Sequence, residues 1–237
     1  MSRYKKPLAL RPEPGGRVPD VAMVMAAGLG KRMRPLTATR PKPLVQVAGR
    51  ALIDHALDRL AAAGVKKAVV NVHYLADSVE AHLASRGGPL ETIVSDEREQ
   101  LLETGGGLKR ALPLIDADPF LAVNSDNLWI DGPVDTLRLL ASGWDDKKMD
   151  ALLLLVPLAN AHCHLGRGDF HMKADGRLSR RRPRGASADG RDLVHGARAA
   201  RRRRAERDSR RQELRLAARE PRPHLPRALA SENGADT

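Results

Sequence analysis

The chain predicts an α/β fold: a mostly parallel sheet covered by helices on both faces. Three observations carry this. Short, nearly continuous apolar runs alternate with segments of helical periodicity from residue 21 to about 160. The runs are too apolar for strands with one face in water. Polar and glycine-rich residues cluster where each run ends, as in AAGLGKR, SDEREQLLETGGG and NSDN. In open parallel sheets, ligands bind beyond the carboxyl ends of the strands, so those three clusters mark the expected site.

The elements follow in order. VAMVMAAG (21–28) reads as a buried strand ending in a glycine-rich turn. ALIDHALDRLAAAG (51–64) places Leu52, Ile53, Ala56, Leu57 and Leu60 on one helical face, with Gly64 as its stop. KAVVNVHYL (67–75) is a strand, DSVEAHLAS (77–85) a short helix and ETIVSDE (91–97) a third strand. A glycine-rich loop at 105–107 precedes a helix to about Ala111. PFLAVNSD (119–126) is a strand, VDTLRLLAS (134–142) a helix and DALLLLVPL (150–158) a strand. DFHMKADGRLSR alternates around Asp175-Gly176 and predicts a hairpin within 161–180.

Composition sets the boundaries. The 237 residues hold 41 Lys plus Arg against 29 acids, a net charge of +12, with 3% aromatics and one cysteine. A single cysteine excludes a disulfide framework and any multi-cysteine zinc module. The longest apolar run, Ala151 to Ala159, falls far short of the roughly 20 residues that span a bilayer. No signal-peptide apolar region follows the basic N-terminus, so a soluble cytoplasmic protein without a membrane partner is expected. Residues 174–237 hold 18 Arg and no Lys against 9 acids, and therefore carry +9 of the +12. Three zones result: a flexible extension over 1–20, a core over 21–180, and an Arg-rich tail over 181–237.

The chemistry concentrates in the first turn. Gly28 and Gly30 let backbone approach a polyanion, and Lys31, Arg32 and Lys42 supply cations for a triphosphate. A dinucleotide fingerprint fails because Met33 stands where its third glycine belongs. A Walker A loop fails because Arg32 stands where it needs Ser or Thr. On the glycines alone, a structural turn with solvated cations is the better explanation. Gly-x-Gly-x-Arg followed ten residues later by Pro41-Lys42-Pro43 is far more specific.

AMVMAAGLGKRMRPLTATRPKPLVQVAGRALIDHAL resembles the signature of the sugar-1-phosphate nucleotidyltransferases. The resemblance runs from about 21 to 180 and takes in VVNVHYL, LLETGGGLKRALP, VNSDNLW and GDFHMKADGRL. It is strongest to the N-acetylmuramate-1-phosphate uridylyltransferase branch of cell-wall recycling, with mannose-1-phosphate guanylyltransferases next. It implies a Rossmann-like fold of the nucleotide-diphospho-sugar transferase type. It also implies Mg²⁺-dependent transfer from an NTP, UTP in that branch, to a sugar 1-phosphate, releasing pyrophosphate.

The resemblance further implies residue roles. The turn wraps the triphosphate: Ala27, Gly28 and Gly30 contact the nucleotide, Lys31 takes a tolerant position beside the phosphates, Arg32 stabilises the departing pyrophosphate, and Lys42 bridges nucleotide and sugar phosphate. Glu103, Gly105 and Gly106 belong to a loop over the nucleobase. Asn124 contacts the sugar or its phosphate, and Asp169 lines the sugar pocket, with bracing of the hairpin as its competing role. Asp126 holds Mg²⁺, which commonly takes one or two protein carboxylates plus phosphate oxygens; without the upstream motif, an Asp capping the next segment explains it better. His162, Cys163 and His164, with His171 nearby, lack the further ligand that a tetrahedral site needs. Trp129 and Trp144 read as packing residues.

The late Asp-x-Gly-Thr segment of the family, source of its second metal carboxylate, has no counterpart here. Beyond residue 180 there is no Ile, Phe, Tyr, Trp or Lys, against 16 Arg. Three explanations compete for the tail: a nucleic-acid or anionic-surface binding segment, a solvated helix, and GC-rich DNA read out of frame. The last is favoured. Nucleic acid is not an expected partner, because no aromatic residue is present there for stacking. The missing carboxylate also leaves room for a non-catalytic nucleotide or sugar-phosphate binding protein.

Overall fold

A computed structural model of the protein describes residues 16–131, 134–157, 160, 168, 170–173, 176–180 and 191–200. The first four strands of the main sheet are β1 (Val21–Met25), β4 (Lys67–Val72), β5 (Glu91–Asp96) and β6 (Phe120–Asn124). They lie in the order β5-β4-β1-β6 and are all parallel. A two-residue hairpin, β2 (Gln46–Val47) and β3 (Arg50–Ala51), leads into α1 (Leu52–Ala63). The remaining helices are α2 (Ala76–Ser85), α3 (Glu103–Ile115) and α4 (Thr136–Ser142).

Strand periodicity divides the core between the two faces. Ala22 and Val24 of β1 pack with Ala68, Val70, Leu121 and Val123 beneath Ile53, Leu57 and Leu60 of α1, Val79 and Leu83 of α2, and Leu137 and Leu140 of α4. The alternate residues Val21 and Met23 join Val69, Phe120 and Ala122 against Leu108, Ala111, Leu112 and Ile115 of α3. The alternation follows from side chains pointing to opposite faces of successive strand positions. Trp129 and Trp144 pack against the first cluster, as expected. Gly64 ends α1 at φ 100°, and the next residue, Val65, donates its N–H to the Leu60 carbonyl at 3.0 Å, closing the helix as a left-handed glycine does. Asp135 caps α4, accepting from the Arg138 N–H at 2.8 Å.

The second half of the sheet differs from the sequence expectation in two ways. The apolar run β7 (Ala151–Pro157) is not a further parallel strand; it pairs antiparallel with β10 (Arg191–Ala200). A continuous apolar run carries no information about strand direction. The sheet also extends past residue 180, where composition places the end of the core. β10 pairs antiparallel with β6, with β7 and with β8 (Phe170–Met172). β8 in turn forms the expected hairpin with β9 (Leu178–Arg180), with Gly176 at φ 82° in the turn.

A surface network braces the end of β5 against α2. Arg98 donates to Asp96 at 2.7 Å, Asp77 at 2.8 Å and Glu80 at 2.6 Å. The Arg98 backbone N–H, foremost, holds the Asp96 carboxyl below its ordinary value of 3.8, with the guanidinium adding to it. A carboxylate depressed in the folded state contributes stability above its unfolded value and loses it as pH falls through the folded one. The expected result is a lower urea midpoint at about pH 3 than at neutral pH. Arg98→Ala lowers the neutral midpoint slightly and narrows that difference, slightly because the groups are solvent-exposed.

Candidate active site

The strand order fixes where a ligand binds. The chain moves outward from β1 to β4 and β5, then returns to place β6 on the other side of β1. Such a reversal opens a crevice at the carboxyl ends of the two strands that flank it, here β1 and β6. The register puts Asn71 of β4, Met25 of β1 and Asn124 of β6 side by side at that edge.

The turn after β1 is built around Gly30. It adopts φ 61°, and a Cβ there would lie 3.0 Å from Thr37 Cγ2 and 3.2 Å from Lys42 Cβ, so conformation and space both demand glycine. Buried Thr37 donates its hydroxyl to the Gly30 carbonyl at 2.8 Å. The Tyr74 hydroxyl, donor to the carbonyls of Thr37 at 3.1 Å and Ala38 at 2.8 Å, ties the far side of the loop to the segment after β4. Gly28 is different: a Cβ there meets nothing within 4 Å, so the protein's own packing does not require glycine at that position. Lys31 and Arg32 lie exposed in a single 3-10 turn, Lys31–Met33.

Lys42 opens a second 3-10 turn, Lys42–Leu44, anchored by buried Pro41 and Pro43. Its ammonium forms an ion pair with the Asp126 carboxylate, across 84 residues of sequence. Asp126 lies just past β6, where the Ser125 N–H donates to the Met25 carbonyl at 3.1 Å and holds the segment against β1. The two side chains are 23% and 30% exposed, open enough to exchange each other for a ligand. No group of three His, Cys, Asp or Glu that would hold a metal occurs among the described residues. A single carboxylate fits a hard cation whose other ligands are phosphate oxygens and water, and does not fit a closed protein cage.

The glycine-rich segment corrects the sequence expectation. It is not a loop ahead of a helix: Gly105, Gly106 and Gly107 all lie inside α3, which begins at Glu103. Gly107 packs so tightly that a Cβ would stand 2.5 Å from Glu97 Oε1 and 2.8 Å from Asn71 Nδ2. Glu103 is exposed and held at φ 57°, a left-handed conformation costing about 1 kcal/mol for a residue other than glycine. Strain of this kind collects at functional positions.

Asn71 and Glu97, which join these segments, escaped the sequence reading. Each left a signal: a polar residue inside the apolar run VVNV, and the second of two acids at the end of ETIVSDE. Asp169, His162, Cys163 and His164 lie outside the described residues. His171 falls in β8, opposite Ser179 and Asp192.

The nucleotidyl transferase family profile matches residues 21–162. The chain is 51% identical over 163 residues to the N-acetylmuramate alpha-1-phosphate uridylyltransferase of Caulobacter vibrioides, covering 68% of this chain and 67% of that protein. It is 46% identical over 108 residues to the enzyme of the same name from Neisseria meningitidis, covering 45% and 47%. Among solved structures, a UTP-bound UGPase from Acinetobacter baumannii superposes with a TM-score of 0.63 at 19% identity, covering 79% of this chain and 76% of that one, a likeness of fold. The chain belongs to the nucleotidyl transferase family, with the crevice at the carboxyl ends of β1 and β6 as its candidate active site.

Proposed function

We propose that the chain transfers a uridylyl group from UTP to N-acetylmuramate 1-phosphate, releasing pyrophosphate, in a Mg²⁺-dependent reaction of the cytoplasm. The observation that carries this reading is the meeting of Lys42 and Asp126 beside the Gly28–Gly30 turn, at the point where the strand order reverses. The choice of UTP and of the sugar is supported by the similarity to the two uridylyltransferases. The cytoplasmic location is supported by the chemistry of the substrates.

Phosphoryl-type transfer is mostly positioning and charge stabilisation, and the roles divide accordingly. Ala27, Gly28 and Gly30 hold the triphosphate, with Lys31 at a tolerant position beside it. Glu103, Gly105 and Gly106 hold the nucleobase side, and Asn124 and Asp169 the sugar phosphate. Lys42 turns from Asp126 to bridge the sugar phosphate and the α-phosphate, so that the sugar phosphate oxygen lies in line with the α-phosphorus. As that oxygen bonds to phosphorus and the bond to the β-phosphate oxygen breaks, Arg32 neutralises the charge gathering on pyrophosphate. Asp126 would hold Mg²⁺, which would supply further neutralisation of the phosphates.

The test is pyrophosphate release over four NTPs, each paired with N-acetylmuramate 1-phosphate, mannose 1-phosphate and glucose 1-phosphate. UTP with N-acetylmuramate 1-phosphate is expected to be the best pair. A preference for GTP with mannose 1-phosphate overturns the uridylyl reading, and UTP binding without release under any pairing assigns a binding role.

A further inference from the structure

A buried polar chain crosses from the phosphate turn to the start of α3. The Ala26 N–H donates to Asn71 Oδ1 at 2.7 Å. Asn71 Nδ2 donates to Glu97 Oε1 at 2.8 Å, and the Leu102 N–H donates to Glu97 Oε2 at 3.3 Å. Because a backbone N–H can only donate, Ala26 fixes which amide atom of Asn71 is the oxygen. The direction of the whole chain follows from that. Glu97 is fully buried and Asn71 only 3% exposed.

The backbone of Glu97 is fixed as well. Its N–H donates to the Val72 carbonyl at 2.8 Å, and its carbonyl accepts from Gln100 N–H at 3.1 Å and lies 2.7 Å from His73 Nδ1. Gly107 closes the chain from the α3 side, leaving no room for a side chain.

A buried carboxylate is costly unless its oxygens are hydrogen-bonded, and an apolar pair would fill this space at less cost. What the polar pair adds is geometry. One end holds the N–H of the residue that opens the Ala27-Gly28 turn. The other holds the N–H of the residue before Glu103. Those two backbones bound the nucleotide from its phosphate side and its base side.

We infer that Asn71 and Glu97 are positioning residues whose hydrogen-bonded chain sets the gap between the phosphate turn and the start of α3, and so the fit of the nucleotide. This rests on the functional reading above. Neither side chain touches substrate; both act through the backbones of Ala26 and Leu102.

The chain can be inverted, which gives the test. Glu97→Gln leaves an amide facing the Leu102 N–H, donor against donor. Asn71→Asp sets two carboxylates against each other. The double variant restores every bond with the same total charge. The Ala26 N–H then donates to the carboxylate introduced at position 71. The amide introduced at position 97 donates its N–H to that carboxylate, and its oxygen accepts from the Leu102 N–H.

Each single variant is expected to raise the KM for UTP about tenfold, with kcat and the KM for the sugar phosphate changed by less than about threefold. The double variant is expected within about twofold of the starting protein. Calorimetric UTP binding should follow the same order.

Single variants that leave the UTP KM unmoved, or that shift both KM values alike, overturn the inference. So does a folded double variant no better than the singles. If a single variant does not fold, the double decides by itself: near-original UTP affinity supports the chain, and a loss above about fivefold overturns it. A starting protein that binds no UTP at all overturns the functional reading, whereas one that binds UTP while the variants break this pattern overturns the positioning role alone.

Discussion

Asp126→Asn is expected to lower pyrophosphate release by about a thousandfold while the urea midpoint moves little. Asparagine keeps the volume and removes the charge. Asp126 is 30% exposed and lies beyond the end of β6, outside both core clusters, so the fold does not depend on it. The substitution strands the Lys42 ammonium, but Lys42 too is partly exposed, and water takes up the loss. What goes is the acidic side chain paired with Lys42 at the switch between β1 and β6, which in the proposed function would hold a hard cation. Steady-state pyrophosphate release with UTP and N-acetylmuramate 1-phosphate checks this, with urea unfolding as the control. Activity within about tenfold of the starting protein contradicts the assignment.

Arg32→Ala is expected to lower kcat by about a hundredfold and to change the KM for UTP much less. In the role proposed for Arg32, the charge it meets is largest after the bond to the β-phosphate oxygen has begun to break. An interaction stronger in the transition state than in the ground state acts on kcat. Arg32 is exposed in its 3-10 turn, so the variant folds. Arg32→Lys restores only part of the rate, since an ammonium lacks the planar fork that engages two phosphate oxygens together. Lys31→Ala, one position earlier and equally exposed, is expected to stay within about threefold. Equal losses at 31 and 32 mean that the turn acts only through its net charge.

The parts legible in the sequence are those set by local pattern. The face of α1 defined by Leu52, Ile53, Ala56, Leu57 and Leu60 is buried as its periodicity requires. The motif from Gly28 to Lys42 lies at the carboxyl end of β1, where apolar strands ending in glycine and charge place it. What stayed hidden depends on contacts far apart in the chain. Three consecutive glycines read as a loop because each costs a helix about 1 kcal/mol relative to alanine. All three lie in α3, where Gly107 must lie against Glu97 and Asn71, a contact that no local pattern encodes.

The β2–β3 hairpin turns on Ala48 at φ 52° followed by Gly49 at φ 76°. The Ala-Gly dipeptide is a weak sequence signal, because alanine seldom takes that conformation. The pairing of Lys42 with Asp126 follows from strand order, and sequence spacing does not contain it. β10 was obscured by its surroundings: the arginine-rich composition of 181–237 reads as a tail, yet residues 191–200 pair with three strands.

The measurement that bears most directly on transfer at this edge of the sheet follows the phosphorus atoms themselves. The full chain is mixed with UTP, N-acetylmuramate 1-phosphate and Mg²⁺ and followed by ³¹P NMR. The expected result is growth of diphosphate signals from a nucleotide-sugar in step with an equal amount of pyrophosphate. Both should depend on the sugar phosphate and be lost in Asp126→Asn. Pyrophosphate formed without sugar phosphate, orthophosphate as the product, or a spectrum unchanged while UTP is bound would each contradict it.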